Sequence, residues 1–217
     1  MQVFIDSMLK VWYLWAILLV LLALTPFIPK IKGFLGELDV SNLLLKLPQE
    51  QYIPLNNIML KTPTGTTQID HILVSIYGIF VIETKNYKGL ILGRENDKQW
   101  TQCLSGQKNR FMNPIRQNFG HIQNLKALLR AYGEIPYISI VAFEDNCRLI
   151  LECPKAIVIK FGQLRKTVKD FSIKPVMNLA KAIQISHYIT TNNIDSKENR
   201  KTHVAMIQEK KAAAKNR

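Results

Sequence analysis

The stretch QIDHILVSIYGIFVIETKNYKG, Gln68 to Gly89, carries Asp70, Glu83 and Lys85 inside a run that is otherwise largely apolar. Charged groups are tolerated in such a run when they are paired or bind an ion. Two carboxylates beside a lysine make a site for a hard cation, since Mg²⁺ takes one or two carboxylates and keeps several waters. An ion held this way offsets phosphoryl charge and acidifies a bound water, while the lysine orients that water or balances developing negative charge. Phosphodiester hydrolysis needs that combination. A plain ion pair between Lys85 and one of the acids, on a solvated strand face, is the competing account of the same residues.

Whether the three groups meet depends on the elements that carry them. The stretch reads as two strands joined about Ser75 to Gly78, with Glu83 and Lys85 on one side and Asp70 sharing a side with Ile72 and Val74. A two-residue loop at Tyr77-Gly78 pairs Asp70 with Lys85, and a four-residue loop over Ser75 to Gly78 pairs Asp70 with Glu83. Either even length gathers all three on one face unless a bulge intervenes. His71 points to the opposite face and reads as a packing histidine.

Around this hairpin, GFLGELDVSNLLLKL spaces Phe34, Leu38 and Leu45 with Leu35, Leu43 and Leu44 as a helix, ended by Pro48. YIPLNNIMLKTPTGTTQ follows as a strand with a Pro/Gly/Thr turn. In NPIRQNFGHIQNLKALL, Asn113 suits an N-cap and Pro114 the first helical position, with Ile115, Phe119, Ile122 and Leu129 as a core stripe. Trp100 has a face that could stack a base, but packing against the sheet is the expectation. YISIVAF (Tyr137 to Phe143) and AIVIKFG (Ala156 to Gly162) read as buried strands, and PVMNLAKAIQISHYI as an amphipathic helix begun by Pro175. The alternation predicts an α/β domain with a mixed central sheet flanked by helices.

GELDV (Gly36 to Val40), then TTQIDHILVSIYGIFVIETKNYKG, then NPIRQNFGHIQNLKALL together resemble the nuclease-related domain, NERD, a branch of the PD-(D/E)xK nuclease superfamily. The likeness covers Gly33 to Leu129 and lies in the order and context of the motifs. It implies a restriction-endonuclease-like fold and a Mg²⁺-dependent nuclease, with Mn²⁺ as a substitute, acting on nucleic acid, foremost DNA. It assigns Glu37, Asp70 and Glu83 to the metal and Lys85 to the attacking water or the transition state. Gln117, ordinary helix surface by propensity, enters the site through the resemblance alone. Ile69 stands before Asp70 where the superfamily usually has proline. A non-catalytic module that tethers DNA or RNA to the membrane is the alternative function.

The whole chain sets the remaining bounds. Its 217 residues, 47% hydrophobic, suffice for one domain with its own core. The 29 Lys and Arg against 16 Asp and Glu, a net charge of +13, favour a polyanionic partner: nucleic acid or an anionic membrane face. Cys103, Cys147 and Cys153 have no CxxC spacing and read as reduced thiols. After an N-terminal segment at 1–10, Val11 to Ile28 carries no charge and predicts a transmembrane helix over 11–29. Trp12, Tyr13 and Trp15 lie near one end, and Pro26 disfavours cleavage after Ala23-Leu24-Thr25. Lys10 before the span, against Lys30, Lys32 and Lys46 after it, predicts a cytoplasmic C-terminal domain. That nuclease-like domain is expected over 33–190. A basic tail follows over 191–217, whose seven Lys or Arg and three acids from Asn192 onward read as a solvated end, in preference to a frayed helix or a tail touching phosphates or lipid headgroups.

Overall fold

Three apolar segments rich in β-branched residues fold into a meander: β1 (Tyr52–Thr62), β2 (Gly65–Ser75) and β3 (Gly78–Lys85). The computed structural model describes residues 12–24, 28–63 and 65–215. These divide into two compact units, Met1–Leu35 and Gly36–Arg217.

Gly78, at φ +129°, closes the β2–β3 turn opposite Ser75, a conformation that only glycine adopts without strain. The pairing runs from Ser75↔Gly78 to His71↔Ile82, so the hairpin takes the register that sets Asp70 against Glu83. Beyond β3 come β4 (Gly89–Arg94), β5 (Gln99–Leu104), β6 (Gln107–Met112), β7 (Tyr137–Phe143), β8 (Cys147–Glu152) and β9 (Ile157–Lys160). They do not form the single central sheet expected. A five-stranded sheet has the order β1-β2-β3-β7-β9, and a four-stranded sheet the order β6-β5-β4-β8. The two are related by one bent parallel pair: Lys85 faces Phe143 in the first, Gly89 faces Cys147 in the second, and the offset is the same on both sides of the bend. Both sheets are mixed, since the other strand pairs of the smaller sheet are antiparallel.

Helices cover the larger sheet on both faces. On one, α3 (Pro114–Leu128) and α5 (Leu179–Thr191) bury Ile122, Leu125 and Ile185 against Ile72, Val74, Ile79 and Val81. On the other, α2 (Ile28–Leu45) and α4 (Leu164–Asp170) bury Val40, Leu44, Leu164 and Val168 against Leu73, Phe80 and Ile82. The α2 stripe differs in detail from the spacing expected, for Leu38 and Leu45 are exposed while Val40 and Leu44 pack inward. In α3, Phe119 is likewise exposed. The α5 helix begins at Leu179, capped by Asn178, because the Asn178 side chain accepts from the N–H of Lys181 where Pro175 offers no cap. Trp100 packs as expected: it stacks on Phe143, meets Phe111 edge-on, and donates its indole N–H to Arg94 O at 2.8 Å. No disulfide joins the three cysteines.

In the first unit, α1 (Trp12–Leu24) is 13 residues long, apolar on every face, with Tyr13, Leu14, Trp15, Ile17, Leu18, Leu19 and Val20 exposed. Among the described residues no helix is long and apolar enough to cross a membrane. Val11 and residues 25–27 of the expected span lie outside the described residues. The C-terminal stretch expected as a solvated tail forms α6 (Lys197–Lys215), held to the domain by side-chain bonds detailed below.

Asn113 ties the smaller sheet to the start of α3. It is fully buried; its Oδ1 accepts from the N–H of Ile115, and its Nδ2 donates to Glu95 O at 2.9 Å and Asp97 O at 2.8 Å. Asn113→Ala removes the cap and the donor to two loop carbonyls together, so it should destabilise the domain by about 1–2 kcal/mol in chemical denaturation. A loss below about 0.5 kcal/mol would show that the loop relaxes to water without cost.

Candidate active site

Glu83 and Lys85 stand two residues apart on β3, hence on one face of the strand, and that face meets α3. Glu83 is almost wholly buried and both of its oxygens are engaged. Oε1 pairs with Lys85 Nζ, and Oε2 lies 3.2 Å from His121 Nε2. With Nε2–H donating to the carboxylate, His121 Nδ1 accepts from the Thr67 hydroxyl at 2.8 Å. Lys85 also donates to Gln117 Oε1 at 3.3 Å. Gln117 and His121 lie one turn apart on α3, so a single helix face holds both ends of the Glu83–Lys85 pair. Buried Asn118, between them in sequence, donates to Val81 O and Ser139 Oγ and fixes the helix over the sheet.

Asp70 reaches the same region by another route. The β2–β3 ladder ends at His71↔Ile82, which leaves the Thr84 N–H without a strand partner from β2. The carboxylate of Asp70 supplies one: Oδ2 accepts from Thr84 N at 2.9 Å and from Thr84 Oγ1 at 2.8 Å. The side-chain alternation also breaks here. Ile72 and Val74 share one core with Ile69, and across the ladder Ile53 and Leu55 share it with Ile58 and Leu60, so both strands turn over at Asp70 and Asn57. Asn57 sits opposite in the left-handed region, at φ 54°. The parity expected for a regular hairpin therefore stops one residue short of the acid. Asp70 lies just past the end of the β2–β3 ladder, bonded to the residue between Glu83 and Lys85, instead of sharing their face through regular alternation.

Glu37 comes from α2, on the opposite side of the sheet. Gly36 permits that approach, because a Cβ there would meet the Asn86 side chain at 2.6 Å. Glu37 is half-buried and hydrogen-bonded to the side chain of Asn57. Three carboxylates thus approach one region from helix, strand edge and strand face. Among the described residues, no three His, Cys, Asp or Glu side chains form a group arranged to hold a metal ion.

The electrostatics separate the acids. Burial would lift Glu83, but the Lys85 ammonium and the His121 hydrogen bond overcome it and hold the group below the usual carboxylate range. Burial likewise opposes the charge on Lys85, yet Glu83 and Asp70 keep its ammonium above the ordinary lysine value. At Asp70 desolvation and then the charge of Glu83 outweigh the Lys85 ammonium and push it up to about 7. Glu37 is raised as well, chiefly by burial. Asp70 Oδ1, which Thr84 does not use, is an oxygen donor of the kind a hard divalent cation takes, while both Glu83 oxygens are already engaged.

His71, expected to pack, is fully buried on the α2 side, with Nδ1 2.7 Å from Asn56 Oδ1 and Nε2 without a hydrogen-bond partner among the described residues. Burial lowers its pKa to about 4, so it is neutral at pH 7. His121, Thr67, Thr84 and Asn57 were not legible as site residues. The signal for His121 was present in its four-residue spacing from Gln117; the other three act through contacts between elements that spacing does not encode.

Residues 32–144 match the family described as Nuclease-related domain, NERD, part of the PD-(D/E)xK-like nuclease superfamily. The chain belongs to this family. It is also 36% identical over 187 residues to an uncharacterized protein of Bacillus anthracis, covering 84% of this chain and 87% of that one. No solved structure gives a significant match.

Because Asp70 is raised from an ordinary carboxylate to about 7, the folded state binds a proton there that the unfolded chain releases near pH 4. Metal-free stability should therefore fall as pH rises from about 4 to about 7 and level off above, by up to about 4 kcal/mol. Asp70→Asn should flatten that segment of the profile. Denaturation midpoints from pH 4 to 8 in EDTA check this; parallel profiles for the two proteins would exclude a raised Asp70.

Proposed function

We propose that this NERD-family protein is a divalent-metal-dependent nuclease that hydrolyses phosphodiester bonds in DNA. We further propose that its apolar N-terminal segment anchors it in a membrane, with the domain on the cytoplasmic side. The observation that carries the catalytic reading is the buried Glu83–Lys85 pair, held by Gln117 and His121, beside an Asp70 raised to about 7.

Glu37, Asp70 and Glu83 would hold Mg²⁺ or Mn²⁺, which supplies a Lewis acid and an acidified water. The chain's own groups supply the rest. Lys85 keeps its ammonium charged through Glu83 and orients the attacking water or offsets charge on the phosphoryl oxygens. Gln117 fixes the position of Nζ, and His121 keeps Glu83 from rotating out of the site. The net charge of +13 suits a polyanionic substrate.

Cleavage of several DNA forms in Mg²⁺, Mn²⁺ or EDTA tests the reading. Activity should require the metal, and Asp70→Asn, Glu83→Gln and Lys85→Ala should each lower it by roughly 10²-fold or more. In EDTA the Asp70→Asn variant should melt no lower than the wild type, since it relieves repulsion, whereas Lys85→Ala leaves Glu83 unpaired and should melt lower. Tight DNA binding without cleavage in any metal would instead favour the tethering module, a reading suggested by the engagement of both Glu83 oxygens within the protein.

Anchoring is supported by the charge-free run from Val11 to Ile28 and by the exposed apolar faces of α1. Alkaline carbonate extraction should leave full-length protein in the membrane pellet. A soluble form starting near Thr25 or Pro26 would overturn the anchor.

A further inference from the structure

Helix α6 lies beyond the residues matched to the family, yet it is fastened to the part of the domain that carries the site. The segment before it clamps β1: Met59 N donates to Asn193 Oδ1 at 2.9 Å, and Ile194 N donates to Met59 O at 2.9 Å, two residues beyond Asn57. Ser196 starts the helix, its Oγ accepting from Asn199 N at 3.1 Å. One turn further on, His203 Nδ1 lies 2.8 Å from Thr66 Oγ1, and Thr66 adjoins Thr67, the partner of His121. Met206 then packs against Gly65 at the tip of the β1–β2 hairpin. These contacts bracket Arg200.

Arg200 is the cation that this strap presents. Its Nε donates to Asp195 Oδ1 at 2.5 Å and its Nη2 to Asp195 Oδ2, a two-pronged pair that fixes the guanidinium plane. More than half of the side chain, 57%, is exposed, while Asp195 is largely covered. Among the described residues the fork to Asp195 leaves Nη1 and one Nη2 hydrogen unengaged. Arg200 also lies within electrostatic reach of Glu37, so it borders the region where the carboxylates converge. An exposed arginine held rigid by one carboxylate, with donors to spare, presents a planar fork matched to a phosphate.

We infer that Arg200 is a phosphate-binding residue of this site, and that α6 serves as its mount: the guanidinium takes a backbone phosphate of the nucleic acid next to the carboxylates. The inference rests on the nuclease reading for its substrate, but binding tests it independently of cleavage. Asp195 is the positioning residue, since it orients the fork without touching the ligand.

The experiment measures duplex DNA binding by the full-length protein in EDTA, by fluorescence anisotropy over a series of salt concentrations, beside thermal melts. Arg200→Gln should weaken binding by about tenfold and reduce the slope of log K against log salt by about one, the signature of one lost phosphate contact. Lys201→Gln removes the same charge from the next position and should do markedly less. Asp195→Asn breaks the same ion pair and should cost similar thermal stability, yet retain more affinity than Arg200→Gln because the guanidinium remains. Equal binding by the Arg200 and Lys201 variants would overturn the assignment. So would matching losses of affinity and melting temperature in the Arg200 and Asp195 variants, which would make the arginine a fastener of α6 only. A wild-type protein that binds DNA without cutting it sinks the catalytic proposal and leaves the Arg200 result standing; failure of the wild type to bind DNA overturns both.

Discussion

The buried charge of Glu83 is the constraint around which the domain is arranged. A carboxylate with 1% of its side chain exposed, in the central strand of an apolar sheet, survives only if its charge is matched and both oxygens are bonded. Lys85 matches it from two residues along the strand, and His121 bonds it from the overlying helix. The helix must then lie at one height and one rotation. That is set by Asn113 at its cap and by Asn118, which donates into the backbone of β3 and β7. Much of the polar chemistry buried in this fold thus holds α3 against Glu83.

The same constraint explains why the strands around it are irregular. Continuous pairing of β2 with β3 past Ile82 would give Thr84 a backbone partner and leave Asp70 no donor to accept from. The ladder instead stops, and the Asp70 carboxylate takes the place of the strand carbonyl. Asn57 absorbs the opposite half of the distortion by entering the left-handed region, which asparagine tolerates better than most residues. Its side chain is then free to hydrogen-bond both Gln68 and Glu37. Local strain at Asn57 accompanies the meeting of a helix carboxylate and a strand carboxylate across the edge of a sheet.

What the sequence made legible follows period and local chemistry. Alternation located the β2–β3 hairpin and strand β7, and Asn113-Pro114 marked the start of α3, because a cap and a fixed φ act within a few residues. The pair Glu83–Lys85 was legible for the same reason. The split into two sheets was not, since it depends on a bend shared by two segments far apart in the chain, one between β3 and β4 and the other between β7 and β8. The exposure of Leu38 and Phe119 was hidden too: helical spacing identifies a stripe but not which edge of it tertiary packing covers. His121 escaped because a histidine on a helix face is ordinary until its strand partner is known. Asp70 was found, but its orientation was not, as regular alternation fails at the residue where the ladder ends.

The two strand acids differ in their electrostatics. Glu83 is kept ionised by Lys85 and His121, so it contributes a permanent charge. Asp70, lifted to about 7 by burial and by that same charge, is balanced between its two protonation states at neutral pH. A cation and a proton must therefore compete at Asp70 while they do not at Glu83, and occupancy by a metal would release a proton from one identifiable group. Lys85 cannot remove this competition, because its ammonium is already committed to Glu83 and Gln117. The arrangement places the fixed charge within the regular β3 strand and the titrating one where the β2–β3 ladder ends.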